Sequence, residues 1–330
     1  MSLSRRSFVQ LPVVLAGVSS LGLGAASEVL AQPGSIGAGE RIDLWPRPPS
    51  GGLHPDLPRV IEQTSADPAA YSSRRMKGIA NPFMMAVPAA RPNGSAMLVI
   101  PGGGFQWNYF EHEGYHIVDI LGRAGISCFI LFYRLAQDGW TNPASVGPAD
   151  AQRAMRVIRA NASRFHLDPE RVGIMGFSAG GFLTTTLATR HSTPFYSAVD
   201  AIDQLSPRPL LTAPIYPVQS VDPAYAYEGA APSLFGGPAT QAQIREWSPD
   251  LNVTATAAPT FLVHAEDDGL VPVANTVRLR DAMVAAKIPV ETHLFAHGGH
   301  GFGAGAQPES PDGFWLPQFF KFAREEKLFA

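Results

Sequence analysis

Residues 176–180 read Gly-Phe-Ser-Ala-Gly, directly after an apolar run that starts at Val172 and directly before a stretch with helical spacing. Glycines two before and two after a serine remove the Cβ atoms that would collide where a strand turns sharply into a helix. Such a turn lifts the hydroxyl of Ser178 over the C-terminal edge of a sheet, at the positive end of the helix dipole. A serine hydroxyl is a weak nucleophile until a base takes its proton, and the base needs a carboxylate to orient it. Both partners are expected after the serine, acid first and histidine second, each at the end of a later strand. Asp267 and Asp268 follow the apolar run 260–264, and Pro272 stands where it can open the next helix. Asp268 is preferred because it heads Asp-x-x-Val-Pro, a spacing that recurs in enzymes built in this order; Asp267 remains the alternative. His297 and His300 both follow the run 290–295. His300 lies in Gly-Gly-His-Gly-Phe, where flanking glycines let an imidazole reach across the sheet edge, so it is the expected base and His297 a polar loop residue. The chemistry is nucleophilic acyl transfer through Ser178, His300 and Asp268.

A tetrahedral intermediate formed on Ser178 needs N–H donors for its oxyanion. One is expected from the backbone of Ala179, next after the nucleophile. The other is expected from Pro101-Gly102-Gly103-Gly104-Phe105, which follows the run 97–100. Successive glycines let the backbone turn its N–H groups toward a substrate, and Gly102 and Gly103 are the expected donors.

The elements that position these residues show as short apolar runs at 97–100, 128–133, 172–177, 210–216, 260–264 and 290–295. Continuous runs of this length fit strands buried on both faces, as in a parallel sheet. Helical spacing occupies 148–164, 179–190, 273–287 and 313–327 between and after them. In the first of these Ala151, Ala154, Met155, Val157 and Ile158 make an apolar stripe, with Arg153, Arg156 and Arg159 on the other side. Alternating strand and helix predicts an α/β fold with a mainly parallel sheet and helices on both faces. The stretch 217–257, rich in Pro, Ala and Gly, interrupts the alternation and is the natural place for a cap insertion over the site. Residues 32–95 are rich in Pro, Gly and Ser, with apolar pieces at 42–45 and 83–87, and read as an extended N-terminal segment with one or two edge strands. The region 32–330 is expected to be a single domain.

Residues 4–10 read Ser-Arg-Arg-Ser-Phe-Val-Gln, an apolar stretch follows from Leu11, and Val29-Leu30-Ala31 offers small residues for cleavage. The pattern is that of a twin-arginine export signal over 1–31, implying a periplasmic or secreted protein. Gly17, Gly22 and Gly24 weaken the stretch as a spanning helix, so no stable membrane insertion is expected after cleavage. Charged residues are 16% of the chain and the net charge is −3, with no basic run longer than a pair; nucleic-acid binding leaves a basic footprint, and none is visible. The one cysteine, Cys128, excludes a disulfide framework and a Cys-rich zinc module.

Residues 112–116 read His-Glu-Gly-Tyr-His, a formal match to the zinc-protease pattern His-Glu-x-x-His. The extended pattern wants a glycine and a third histidine where this chain has Asp119 and Gly122, and Gly114 weakens the helix that the motif requires. No metal site and no organic cofactor are expected.

Taken together, Leu44-Trp45-Pro46, Pro101-Gly102-Gly103-Gly104-Phe105, His112-Glu113-Gly114, Tyr133-Arg134-Leu135, Asp150-Ala151-Gln152-Arg153-Ala154, Gly176-Phe177-Ser178-Ala179-Gly180-Gly181 and Gly299-His300-Gly301-Phe302 resemble the α/β-hydrolase esterases related to bifunctional feruloyl/acetyl xylan esterases. The resemblance covers nearly all of the chain after residue 31. It implies the α/β-hydrolase fold, Ser178, Asp268 and His300 as the triad, and a His112-Glu113-Gly114 segment that follows the oxyanion loop without binding metal. Pro101 departs from hormone-sensitive-lipase-like relatives, which have His there. The substrates it implies are small-molecule or oligosaccharide esters, such as acetyl or feruloyl groups on xylan fragments. Phe105, Trp107, Tyr109 and Phe110 follow the oxyanion loop closely enough to line the substrate mouth, by stacking on sugar rings or by anchoring the loop. A general short-chain carboxylesterase, a serine exopeptidase and a catalytically silent binding scaffold are the alternatives.

Overall fold

The central apolar runs carry no polar alternation because their strands are covered on both faces. The computed structural model describes residues 38–46, 57–64, 74–303 and 312–330; the expected export signal at 1–31 lies outside them. Ten strands are present among these residues: β1 (Glu40–Asp43), β2 (Val60–Gln63), β3 (Arg74–Lys77), β4 (Phe83–Val87), β5 (Ala96–Ile100), β6 (Ser127–Phe132), β7 (Val172–Phe177), β8 (Thr212–Ile215), β9 (Thr260–Ala265) and β10 (Val290–Phe295). Eight make one sheet in the order β1-β4-β6-β5-β7-β8-β9-β10, while β2 and β3 pair separately. Pairing is parallel from β6 to β10, and β4 runs antiparallel between β1 and β6.

The helices are α1 (His116–Arg123), α2 (Pro143–Ala160), α3 (Ala179–Arg190), α4 (Ala230–Phe235), α5 (Gln241–Trp247), α6 (Ala274–Ala285) and α7 (Asp312–Glu325). Successive strand residues point to opposite sheet faces, and two apolar layers result. Leu98, Ile100, Leu131 and Ile174 pack with Ala151 and Met155 of α2 and Phe182 and Leu187 of α3. Met97, Val99, Ile130 and Met175 pack on the opposite face with Ile117 of α1 and Trp315 and Phe319 of α7. The α/β architecture predicted from the alternation is the one observed.

Several details depart from the pattern-based expectation. Helix α2 starts at Pro143 and not near 148, because a proline at the first helical position has no N–H to satisfy. Strand β10 is the sheet edge, and all six of its residues are half-buried. β4 is not an edge strand, since β1 covers it. Arg153 is buried instead of facing solvent: its guanidinium bonds the Leu44 carbonyl, Asp200 and Asp203. Beside it, the Trp45 indole donates to Asp150 at 2.9 Å, and Asp150 pairs with Arg134 at 2.8 Å, both charged side chains being fully buried. Three short motifs far apart in sequence thus meet in one polar cluster under α2. The stretch 217–257 holds α4 and α5, whose Ala230, Leu234, Ile244 and Trp247 join the α2/α3 layer.

Candidate active site

β7 ends at Phe177 and α3 starts at Ala179, so Ser178 alone makes the turn, at φ 51° and ψ −117°. A serine in this left-handed region holds roughly 1–3 kcal/mol of strain, and the two glycines make the turn sterically feasible. A Cβ on Gly176 would run into the Gly180 carbonyl and the Thr184 hydroxyl, and one on Gly180 into the Ile100 carbonyl.

The loop after β10 brings His300 over this turn. Its Nε2 lies 2.8 Å from Ser178 Oγ, and its Nδ1 lies 2.7 Å from Asp268 Oδ2. With Nδ1 facing a carboxylate, Nδ1 carries the proton and Nε2 is free to accept one from Ser178. The other Asp268 oxygen accepts the N–H groups of Leu270 and Val271 at 2.9 and 2.8 Å. Burial works against the Asp268 charge, but hydrogen bonds from His264, His300 and Val271 outweigh it and hold its carboxyl below the usual carboxylate range. Asp267 and His297, the alternatives from sequence, form an exposed pair 3.4 Å apart, and Asp267 also accepts the Gly299 N–H.

Of the three N–H groups expected to receive an oxyanion, one is engaged elsewhere. The N–H of Gly102 is already donated to Glu113 Oε2 at 2.7 Å, so it is not available to a substrate. The N–H groups of Gly103, Gly104 and Ala179 bond no protein acceptor among the described residues, and Gly103 and Gly104 line the cavity above Ser178. Both adopt positive φ, 134° and 62°, which suits glycine.

That cavity is open, about 580 Å³, and walled by Arg75, Gln106, Trp107, Tyr109, Tyr227 and Leu270. Trp107 and Tyr109 stand where the sequence places them, at the mouth. Phe105 does not: at 2% exposure it packs edge-on against Phe182 inside the core. Phe110 is likewise buried, against Phe132. Arg75 and Lys77 of β3 lie over the Trp107 ring at 4.0 and 4.5 Å, and Arg75 donates to the Tyr109 hydroxyl. Tyr227 is the contribution of the 217–257 stretch.

His112 and Glu113 bond different partners, Glu113 accepting the Gly102 N–H and the Tyr216 hydroxyl. His112 Nε2 meets the Gly301 carbonyl at 2.8 Å, and burial, with His112 nearby, lowers His116 to about 4. Among the described residues no group of three His, Cys, Asp or Glu side chains is placed to hold a metal. Two residues escape a reading of sequence alone. His264 ends a buried run and bonds Asp268 from behind, its only signal being an imidazole within an apolar strand. Tyr216, at φ 35°, sets its ring 5.0 Å from that of His300.

A profile of the BD-FAE family matches residues 85–283. An acetylxylan esterase of Xylanibacter ruminicola is 31% identical over 226 residues, 65% of this chain and 42% of the relative. The endo-1,4-beta-xylanase B of Butyrivibrio fibrisolvens is 31% identical over 211 residues, 62% of this chain and 32% of the relative. The chain spans less than half the length of either. The solved acetyl ester-xyloside bifunctional hydrolase from Caldicellulosiruptor lactoaceticus aligns over 89% of this chain and 97% of its own, at 28% identity and a TM-score of 0.67. Among the described residues no helix is long and apolar enough to cross a membrane.

Proposed function

The chain belongs to the BD-FAE family and has the α/β-hydrolase fold, and we propose that it is a carboxylic ester hydrolase that acts through an acyl-enzyme on Ser178 and removes acetyl or feruloyl groups from xylan-type oligosaccharides. His300 takes the Ser178 proton as the hydroxyl attacks the ester carbonyl. Asp268 holds the imidazole in the productive tautomer and stabilises its cation. The N–H groups of Gly103, Gly104 and Ala179 receive the oxyanion, each donor contributing about 3–4 kcal/mol in comparable sites. The imidazolium then protonates the leaving alcohol, and a water deprotonated by His300 releases the acid and restores the serine.

The observation that carries this reading is the unbroken chain Ser178 Oγ, His300, Asp268 at 2.8 and 2.7 Å, at the floor of an open cavity. The carbohydrate part rests on the acetylxylan and acetyl ester-xyloside activities named for two similar proteins. The test is a panel of acetylated xylo-oligosaccharides, feruloyl esters, plain aryl acetates and aminoacyl anilides, run beside Ser178→Ala. Preference for the acetylated oligosaccharides, with turnover lost in the variant, is the expected result. Wild-type turnover by Ser178→Ala overturns the mechanism, and preference for plain aryl acetates overturns the substrate class.

The export signal at 1–31 and the single domain at 32–330 are part of the same proposal. Replacing Arg5 and Arg6 by lysine would retain the protein in the cytoplasm; export at the wild-type level would refute the twin-arginine route.

A further inference from the structure

We propose that Glu113 is a positioning residue that ties the oxyanion loop to the loop carrying the catalytic base, a role that rests on the reading of Ser178 as nucleophile. Glu113 sits in a single wide helical turn, Glu111–Tyr115, between the Gly102–Gly104 loop and α1. Its side chain is nearly buried, at 5% exposure, and no cationic side chain pairs with it among the described residues. A buried carboxylate without a counter-charge is expensive unless its oxygens are hydrogen-bonded. Here each oxygen accepts one bond, and the two donors belong to opposite sides of the reacting centre.

Oε2 accepts the N–H of Gly102 at 2.7 Å, while the Gly102 carbonyl accepts the Tyr109 N–H at 3.1 Å. Gly102 is therefore held at both of its backbone polar atoms, one in each of the peptides that flank its Cα. Three successive glycines have little conformational preference of their own, so this anchor, together with the Gly103 carbonyl that accepts the Gln106 and Trp107 N–H groups at 3.1 and 3.0 Å, aims the next two N–H groups. Oε1 accepts the Tyr216 hydroxyl at 2.9 Å. That hydroxyl accepts the Gly303 N–H at 3.0 Å, and the Tyr216 ring packs on His300 and Phe302. His112, the neighbour of Glu113, completes the connection through the Gly301 carbonyl. The residues that imitate a zinc motif thus form a bracket that fixes the oxyanion donors and the base relative to one another. Such fixed donors act on the transition state more than on bound ester.

The test uses the full chain with Glu113→Ala, Glu113→Gln and Tyr216→Phe, each checked for folding by its melting temperature. The readouts are kcat and KM on an aryl acetate and the affinity of a boronic acid, which forms a tetrahedral adduct on Ser178. Glu113→Ala is expected to lower kcat about 10²-fold and weaken the boronic acid similarly, with KM within about threefold of wild type. Glu113→Gln recovers kcat to within about fivefold, since its amide oxygen can accept from Gly102 while its NH₂ donates to the Tyr216 hydroxyl. Tyr216→Phe, which breaks one side of the bracket, costs about tenfold in kcat. A folded Glu113→Ala with wild-type kcat, a loss confined to KM, or a folded Glu113→Gln as impaired as Ala overturns the role. If Glu113→Ala does not fold, Tyr216→Phe decides: unchanged kcat overturns the bracket, and a kcat loss at constant KM supports it. Ser178→Ala run alongside separates the two readings, because its retained turnover refutes the nucleophile itself, whereas its inactivity beside a fully active Glu113→Ala refutes only Glu113.

Discussion

The buried ring of His264 and the carboxylate of Asp268 meet at 3.0 Å through Oδ2, the same oxygen that faces His300 at 2.7 Å. Nε2 of His264 also lies 3.0 Å from the Val271 carbonyl, so both of its neighbours are acceptors and it must carry the proton. Nδ1 then accepts the Thr276 hydroxyl at 2.8 Å. The Asp268 carboxylate is thereby held from behind as well as from the side of His300. Replacing His264 by Leu should destabilise the fold by about 1–3 kcal/mol and lower kcat roughly tenfold. Calorimetry and steady-state rates on one preparation test this, and a variant with unchanged kcat would limit His264 to packing.

Asp268→Asn should lower kcat about 10⁴-fold with the protein still folded, because an amide facing Nδ1 favours the wrong imidazole tautomer. The variant also has a pH signature. A carboxyl held below its ordinary range in the folded state stabilises the fold above the unfolded-state value, about 4, and that contribution fades as pH falls further toward the folded value. The gap in melting temperature between wild type and Asp268→Asn should therefore be constant near neutrality and narrow below about pH 4. A gap that widens on acidification would contradict the assignment.

Asp150→Ala should destabilise by about 3–5 kcal/mol, since it leaves the fully buried Arg134 guanidinium without its carboxylate and orphans the Trp45 indole N–H. At temperatures where the variant is folded, its kcat should stay within about threefold of wild type, because the cluster contacts none of Ser178, His300 or Asp268. Urea unfolding followed by tryptophan fluorescence gives the first quantity and ester turnover the second.

Gly180→Ala should be more damaging than any change at the cavity mouth. Its Cβ would overlap the carbonyls of Ile100 and Pro101, which are backbone atoms of β5 and the loop after it. A loss of more than about 4 kcal/mol is expected, seen as insoluble expression or a collapsed melting temperature. A soluble protein of near wild-type stability would show that the strand and helix can separate at this turn.

Much of this arrangement could be read from residue order, because it depends on local patterns. Continuous apolar runs mark doubly covered strands, and a serine between two glycines after such a run marks the sharp turn. What could not be read depends on where side chains meet across the fold. Phe105 enters the core because its own φ is 65°, a backbone state that no periodicity reveals. Gly102 looks equivalent to Gly103 until Glu113, eleven residues later, is seen to occupy its N–H. The half-buried character of β10 follows from its place at the sheet edge, and strand order is not written in any single run.

The union of Trp45 with Asp150 also bears on how the chain is made. The two residues are 105 positions apart, so at ordinary synthesis speeds roughly 5–20 s separate the emergence of the indole from that of its acceptor. β1 can pair with β4 well before then, but the segment just beyond it has no buried place until α2 exists. Docking of the half-buried Trp45 indole is therefore a late event on the ribosome, completed only when Tyr196 arrives to pack edge-on against it at 4.7 Å.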